Sequence, residues 1–160
     1  MAIQPGDAIP VMSIQQATPE GPQALDTAAF FAGRTVVLFG VPGAFTPTCS
    51  AKHLPGFVTH AAALKAKGVN AIACMAVNDS FVMSAWAKDQ GITDEVTMIA
   101  DGSALFTKAL GLELDLTARG LGVRCQRFGL IAKDGKVTHI GVEAPGGFEV
   151  STAEAMLAAL

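Results

Sequence analysis

The chain has no excess of either charge, no long apolar run and no paired cysteines, and each lack removes a class of function. Eleven Lys and Arg stand against 14 Asp and Glu, a net charge of −3. That balance offers no electrostatic footing for nucleic acid or for an anionic membrane surface. No stretch approaches the roughly 18 apolar residues of a membrane span. The opening Met1-Ala2-Ile3-Gln4-Pro5-Gly6-Asp7 lacks the basic and apolar regions of a secretory signal. Three cysteines form no scaffold spacing, so a reduced, cytoplasmic protein is expected rather than a disulfide framework. Repeats, charge blocks and linkers are missing too. What remains is 51% hydrophobic and 16% charged over 160 residues, which predicts one domain, 1–160, with a substantial core.

Local patterns predict α/β architecture with a central mixed sheet flanked by helices. Extended segments at Ile9–Gln16 and Pro22–Leu25 bracket a Pro/Gly turn, an N-terminal hairpin. Thr35–Val41 and Val69–Val77 are apolar on both faces, as buried strands are. Val96–Ala100 is a third such strand, and Val123–Ala132 pairs with Lys136–Val142 across the turn Lys133-Asp134-Gly135. Helices are expected at Asp26–Ala32, at Ser50–Lys67 with a kink at Pro55, from Asn78 or Asp79 to Gln90, and at Ser103–Leu110. Ser151-Thr152-Ala153-Glu154 fits a capping box opening a C-terminal helix.

The chemistry concentrates in Pro42-Gly43-Ala44-Phe45-Thr46-Pro47-Thr48-Cys49, between a buried strand and a helix. Sites in such sheets gather at the carboxyl ends of strands. A thiol at the mouth of a helix meets free N–H groups and the positive end of the helix dipole, which favour thiolate, the reactive form. Thr46 is either a helix cap or a hydroxyl aimed at the sulfur and an incoming oxygen. Pro42 and Pro47 are by default rigid turn residues; in the functional reading Pro42 also shields the sulfur from water. Lys52 and His53 share the helical face of Cys49; Lys52 reads as a solvated charge and His53 as a polar pocket wall. Arg127, in an apolar stretch, needs a partner: either a salt bridge at a sheet edge or Cys49 itself. No spacing rule links positions 49 and 127.

Ionisation alone does not make a catalyst. For any cysteine, dropping the thiol pKa from about 8.5 to about 6 raises the thiolate at pH 7 about thirtyfold. Nucleophilicity falls about tenfold over the same interval, leaving a net gain of about threefold. Enzymic accelerations are at least about 10⁶, so most must come from orienting the substrate and stabilising charge on a departing oxygen. A hydroxyl, backbone N–H groups and a guanidinium suit that task.

Other thiol and cofactor chemistries do not fit. A C-x₅-R phosphatase loop fails because residue 55 is Pro, and C-x-x-C exchange fails because residues 52 and 46 are Lys and Thr. No H-E-x-x-H or Cys/His cluster calls for a metal. Gly120-Leu121-Gly122 lacks the third glycine of a dinucleotide loop. No cofactor is expected.

The active-loop residues, followed by His53-Leu54-Pro55-Gly56-Phe57, resemble the peroxiredoxins, in their type II, peroxiredoxin-five-like branch. Val77-Asn78-Asp79, Phe81-Val82-Met83, Trp86, Ala100-Asp101-Gly102, Leu110–Asp115 and Arg127-Phe128 agree. The resemblance implies a thioredoxin-like fold with added elements. It implies that Cys49 attacks the peroxide O–O bond and becomes a sulfenic acid, with Thr46 and Arg127 activating and Pro42 shielding. It also implies a hydroperoxide substrate, a homodimer packed near the active sites, and recycling by glutathione with glutaredoxin or by thioredoxin. Cys74 matches a resolving cysteine of plant-like members, or is buried packing. Cys125 stands where Ser is common, and strand alternation would put it on Arg127's face, about 7 Å along. Phe45, Leu114 and Leu116 are apolar flanks suited to alkyl hydroperoxides. The competing reading is a redox sensor or chaperone-like protein switched by Cys49 oxidation.

Overall fold

The computed structural model describes residues 1–160. Two apolar runs form the centre of the sheet: β3 (Thr35–Gly40) and β4 (Ala71–Ala76), parallel and buried. Around them lie β1 (Ser13–Thr18), β2 (Gly21–Asp26), β5 (Thr97–Ala100), β8 (Phe128–Lys133) and β9 (Lys136–Val142). The seven strands run in the order β2-β1-β5-β4-β3-β8-β9. β3, β4 and β5 are parallel, and antiparallel pairs extend the sheet at both sides. This is the expected mixed sheet with an N-terminal hairpin.

Alternation along the strands splits the core into two faces. Val37, Phe39, Cys74 and Ile131 pack with Cys49, Leu54, Phe57 and Trp86 on one. Val36, Leu38, Met75 and Leu130 pack with Phe31, Phe106 and Cys125 on the other. The helices covering these faces are α1 (Thr27–Phe31), α2 (Leu54–Thr59), α3 (Ala61–Ala66), α4 (Ser80–Asp89), α5 (Leu105–Leu110) and α6 (Ala153–Ala159). Asp26 and Asp79 cap α1 and α4 through their carboxylates, and Asp134 and Gly135 turn the β8–β9 hairpin with φ of 49° and 76°, the primed geometry of tight hairpins.

Three expectations are corrected. The helix over 50–67 is a π-turn at Cys49–His53, then α2, then α3, with the break at His60. Pro55 stands in the first turn of α2, directly after the π-turn. Pro55 has no N–H for an i−4 bond and its ring would crowd that carbonyl, whereas in the wider turn Leu54 N–H reaches back to Cys49 C=O.

The strand over 123–132 is two strands. β7 (Gly122–Cys125) pairs with β6 (Glu113–Leu116) in a separate ribbon, and only β8 joins the main sheet. The break at Gln126-Arg127 cancels the alternation, so Cys125 lies on the face opposite Cys49. Gly40 lets it sit there, for a Cβ on Gly40 would run into the Phe128 ring and stand 2.9 Å from Cys125 Sγ.

The capping box is offset by one residue. Thr152, not Ser151, accepts from Ala155 N–H to cap α6, while Ser151 serves Glu143 and Glu154 faces His60 at 3.3 Å. No helix is long and apolar enough to cross a membrane.

Candidate active site

β3 ends where the chemistry begins. Val41 N–H still bonds to Met75 C=O at 3.0 Å, and the chain then leaves the sheet. Asn78, at the carboxyl end of β4, accepts from Ala44 N–H at 2.9 Å and tethers the loop. Phe45 turns the loop with φ of 63°, a region that side chains other than Gly rarely adopt and one associated with functional sites. Helical backbone starts at Pro47, whose locked φ suits a first helical position. The sulfur of Cys49 follows within the first turn.

Cys49 is fully buried. Arg127 reaches it because Phe128 is the register partner of Gly40: the residue before Phe128 stands beside the point where β3 turns into the loop. Arg127 Nη2 donates to Cys49 Sγ at 3.1 Å, and Nη1 donates to His53 Nδ1 at 2.9 Å. His53 Nε2 lies 2.9 Å from Ser151 C=O. A guanidinium only donates and a carbonyl only accepts, so Nδ1 is bare and Nε2 carries the proton.

The charge balance is unusual. The one contact within 4 Å between a Lys, Arg or His nitrogen and a carboxylate joins His60 and Glu154, so Arg127 has no carboxylate within 4 Å. Burial lowers the His53 pKa from 6.5 to about 4; the Ser151 bond opposes this and the Arg127 charge adds to it. His53 is therefore neutral at pH 7, and the half-buried cation is turned toward the Cys49 sulfur instead of a carboxylate.

The other expected residues fall as follows. Thr46 Oγ1 donates to Gly43 C=O at 2.7 Å. Its proton is committed within the loop and it caps no N–H, so the oxygen is left with lone pairs to accept. Pro42 is half-buried and Phe45 exposed. Lys52 is exposed, while His53 is buried behind Arg127 rather than forming an open wall. Arg124 does not approach the sulfur; its Nη1 donates to Pro42 C=O at 3.2 Å. It occupies the space beside Gly43, where a Cβ would stand 2.6 Å from Nη1. Leu114 and Leu116 sit half-buried in the β6–β7 ribbon.

Cys74 shares the Cys49 face but lies in mid-β4, and burial pushes its thiol pKa well up. Burial likewise raises that of Cys125. A surface cavity of about 330 Å³ is lined by Ser13–Gln15, Asp79 and Ala100–Ser103, among others, and touches none of Cys49, Thr46 or Arg127.

Sequence reasoning missed Glu143 and Ser151, and the bond from Trp86 Nε1 to Ser50 Oγ at 3.0 Å. Glu143 Oε2 accepts from the N–H groups of Glu149, Val150 and Ser151 and from the Ser151 hydroxyl. The signal available was the capping-box serine, but its partner lay eight residues upstream.

The Redoxin family profile matches residues 4–157. Peroxiredoxin-2C of Oryza sativa subsp. japonica is 57% identical over 129 residues, 81% of this chain and 80% of that protein. The chloroplastic peroxiredoxin-2E of Arabidopsis thaliana is 47% identical over 99% of this chain and 70% of its own length. Reduced Prx3 from Vibrio vulnificus, solved in complex with hydrogen peroxide, superposes with a TM-score of 0.93 at 52% identity and covers 98% of both chains.

Proposed function

This chain belongs to the type II branch of the peroxiredoxin family and is a thiol-dependent peroxidase, and from that premise we propose that Cys49 is its nucleophile. The carrying observation is the Arg127 bond to Cys49 Sγ at 3.1 Å, from a cation without a carboxylate partner. The thiolate attacks one peroxide oxygen. An S–O bond forms, the O–O bond breaks, and sulfur is oxidised to sulfenic acid. The departing oxygen leaves with the electron pair, takes a proton and becomes water or an alcohol.

Each neighbour has a task in this reading. Arg127 stabilises the thiolate first and the departing oxygen as its charge develops. Thr46, with its own proton held by Gly43, accepts from the peroxide O–H and aligns it. Thr48 and Cys49 N–H, neither taken by a backbone carbonyl, add donors. Pro42 covers the sulfur, and His53 and Phe45 shape the surroundings. Because Cys49 has no exposed surface, the 42–48 loop yields slightly when substrate enters.

The sulfenic acid is then attacked by an external thiol: an S–S bond forms and water leaves. A second thiol releases Cys49 and carries away the disulfide. Glutathione with glutaredoxin, or thioredoxin, fits this role. Cys74 is a poor resolving group, since it is walled in by β3 and β5 and its raised pKa disfavours thiolate. An odd set of separately buried thiols supports a reducing compartment such as the cytoplasm. Exposed Phe45 and Phe81 flank the Ala44–Asn78 tether, which supports a homodimer packed beside the active sites.

The test is peroxide consumption with dithiothreitol, glutathione plus glutaredoxin, or thioredoxin. Wild type turns over many equivalents with at least one donor, and Cys49→Ser turns over none. Turnover by Cys49→Ser would remove the assignment.

A further inference from the structure

We propose that Glu143 is a positioning residue for the peroxidatic centre, acting on Arg127 through residues 148–151 and His53. The inference rests on the reading of Cys49 and Arg127 above.

Residues 148–151 form a strap without regular structure, laid across the β8–β9 hairpin. Its seat is a pair of glycines, Gly129 and Gly141, directly opposite each other in register. A Cβ on Gly129 would stand 3.0 Å from Ser151 C=O, and one on Gly141 would collide with Val150 C=O. The missing side chains let strap backbone lie against hairpin backbone. One atom then pins it: Glu143 Oε2 accepts from Glu149 N–H at 2.8 Å, Val150 N–H at 2.9 Å, Ser151 N–H at 2.8 Å and Ser151 Oγ at 2.6 Å. Burial raises the Glu143 pKa, but these bonds bring it below the ordinary glutamate value, so the clamp is anionic at neutral pH.

The pinned strap aims two groups at the site. The Ser151 carbonyl accepts from His53 and thereby fixes both ring orientation and tautomer, which points a bare Nδ1 at Arg127. Phe148 stands edge-on to His53 at 5.3 Å, with the Arg127 guanidinium 5.9 Å from its ring. An arginine side chain is long and has many rotamers. Tying one prong of its fork to His53 leaves the other at the sulfur. Release the strap and the fork loses its anchor, though neither Cys49 nor Arg127 has changed. Misplacement by about 1 Å at a reacting centre costs up to about 10²-fold.

The experiment measures the second-order rate of Cys49 oxidation by hydrogen peroxide in single turnovers. The proteins are wild type, Glu143→Ala, Arg127→Gln and the double variant. Glu143→Ala is expected to slow oxidation about tenfold in the wild-type background and less than twofold in the Arg127→Gln background, because contacting or chained residues are non-additive. His53→Leu and His53→Gln test the chain without touching the clamp. Leu is expected to match Glu143→Ala, whereas Gln, which can accept from Arg127 and donate to Ser151, recovers most of the rate. An equal factor in both backgrounds, a Glu143→Ala rate within twofold of wild type, or identical Leu and Gln variants overturns the proposal. A slow Arg127→Gln with a normal Glu143→Ala overturns this inference alone; a normal Arg127→Gln overturns the Arg127 assignment as well.

Discussion

Arg127→Lys separates the charge of the guanidinium from its shape. In the native site one planar group donates at 3.1 Å to Cys49 Sγ and at 2.9 Å to His53 Nδ1. Lysine keeps the cation but offers a single nitrogen on a flexible stem, which cannot hold both acceptors in a fork's geometry. One charge-assisted bond is lost, worth about 1.5–3 kcal/mol, so peroxide oxidation of Cys49 should slow about 10- to 150-fold. Arg127→Gln also removes the charge and should fall further. Trp86 is the natural reporter: the chain has one tryptophan and no tyrosine, and its indole N–H bonds to Ser50, the residue after Cys49. Stopped-flow emission after mixing with hydrogen peroxide gives the rate directly. A Lys variant within twofold of wild type would refute the argument that the fork, rather than the charge alone, sets the rate.

His53 makes stability fall in acid. The unfolded chain binds its proton near pH 6.5 and the folded chain only near 4, so its contribution is complete above 6.5 and lost as pH falls to 4. The ceiling is about 3 kcal/mol, and the lowered Glu143 acts in the same sense. Urea titrations from pH 7 to 4 check this, and His53→Gln should flatten the dependence. Cys74→Ser should leave recycling by an external thiol within twofold of wild type while lowering stability, because a hydroxyl replaces a buried thiol between β3 and β5; loss of cycling would restore a resolving role. Gly40→Ala should cost about 1–3 kcal/mol by overpacking against Phe128 and Cys125, read as a lower urea midpoint.

Local chemistry made much of the molecule legible. Apolar runs predicted β3 and β4, Asn78 or Asp79 was expected to cap α4, and Asp134-Gly135 predicted the hairpin turn. Each depends on residues within a few positions of one another. The candidate nucleophile was marked in the same way: a cysteine just past a buried strand and a Pro-stiffened loop is a short-range pattern. The failures share a cause. The split at Gln126-Arg127 follows from β7 pairing with β6 and not with the main sheet, and Ser151 is drawn from its capping role by the Glu143 carboxylate just past β9.

By itself the amino-acid order marked Cys49 as the candidate nucleophile and showed where the chain must turn, because propensity, periodicity and caps act over one or two helical turns. Tertiary structure alone decided what faces that atom. Arg127 lies 78 residues from Cys49, and His53 lies 98 from Ser151. What brings them together is the antiparallel pairing of β3 with β8 and the Gly40–Phe128 register. A register one residue different would swing side chains to the opposite face of the sheet, where Cys125 now lies.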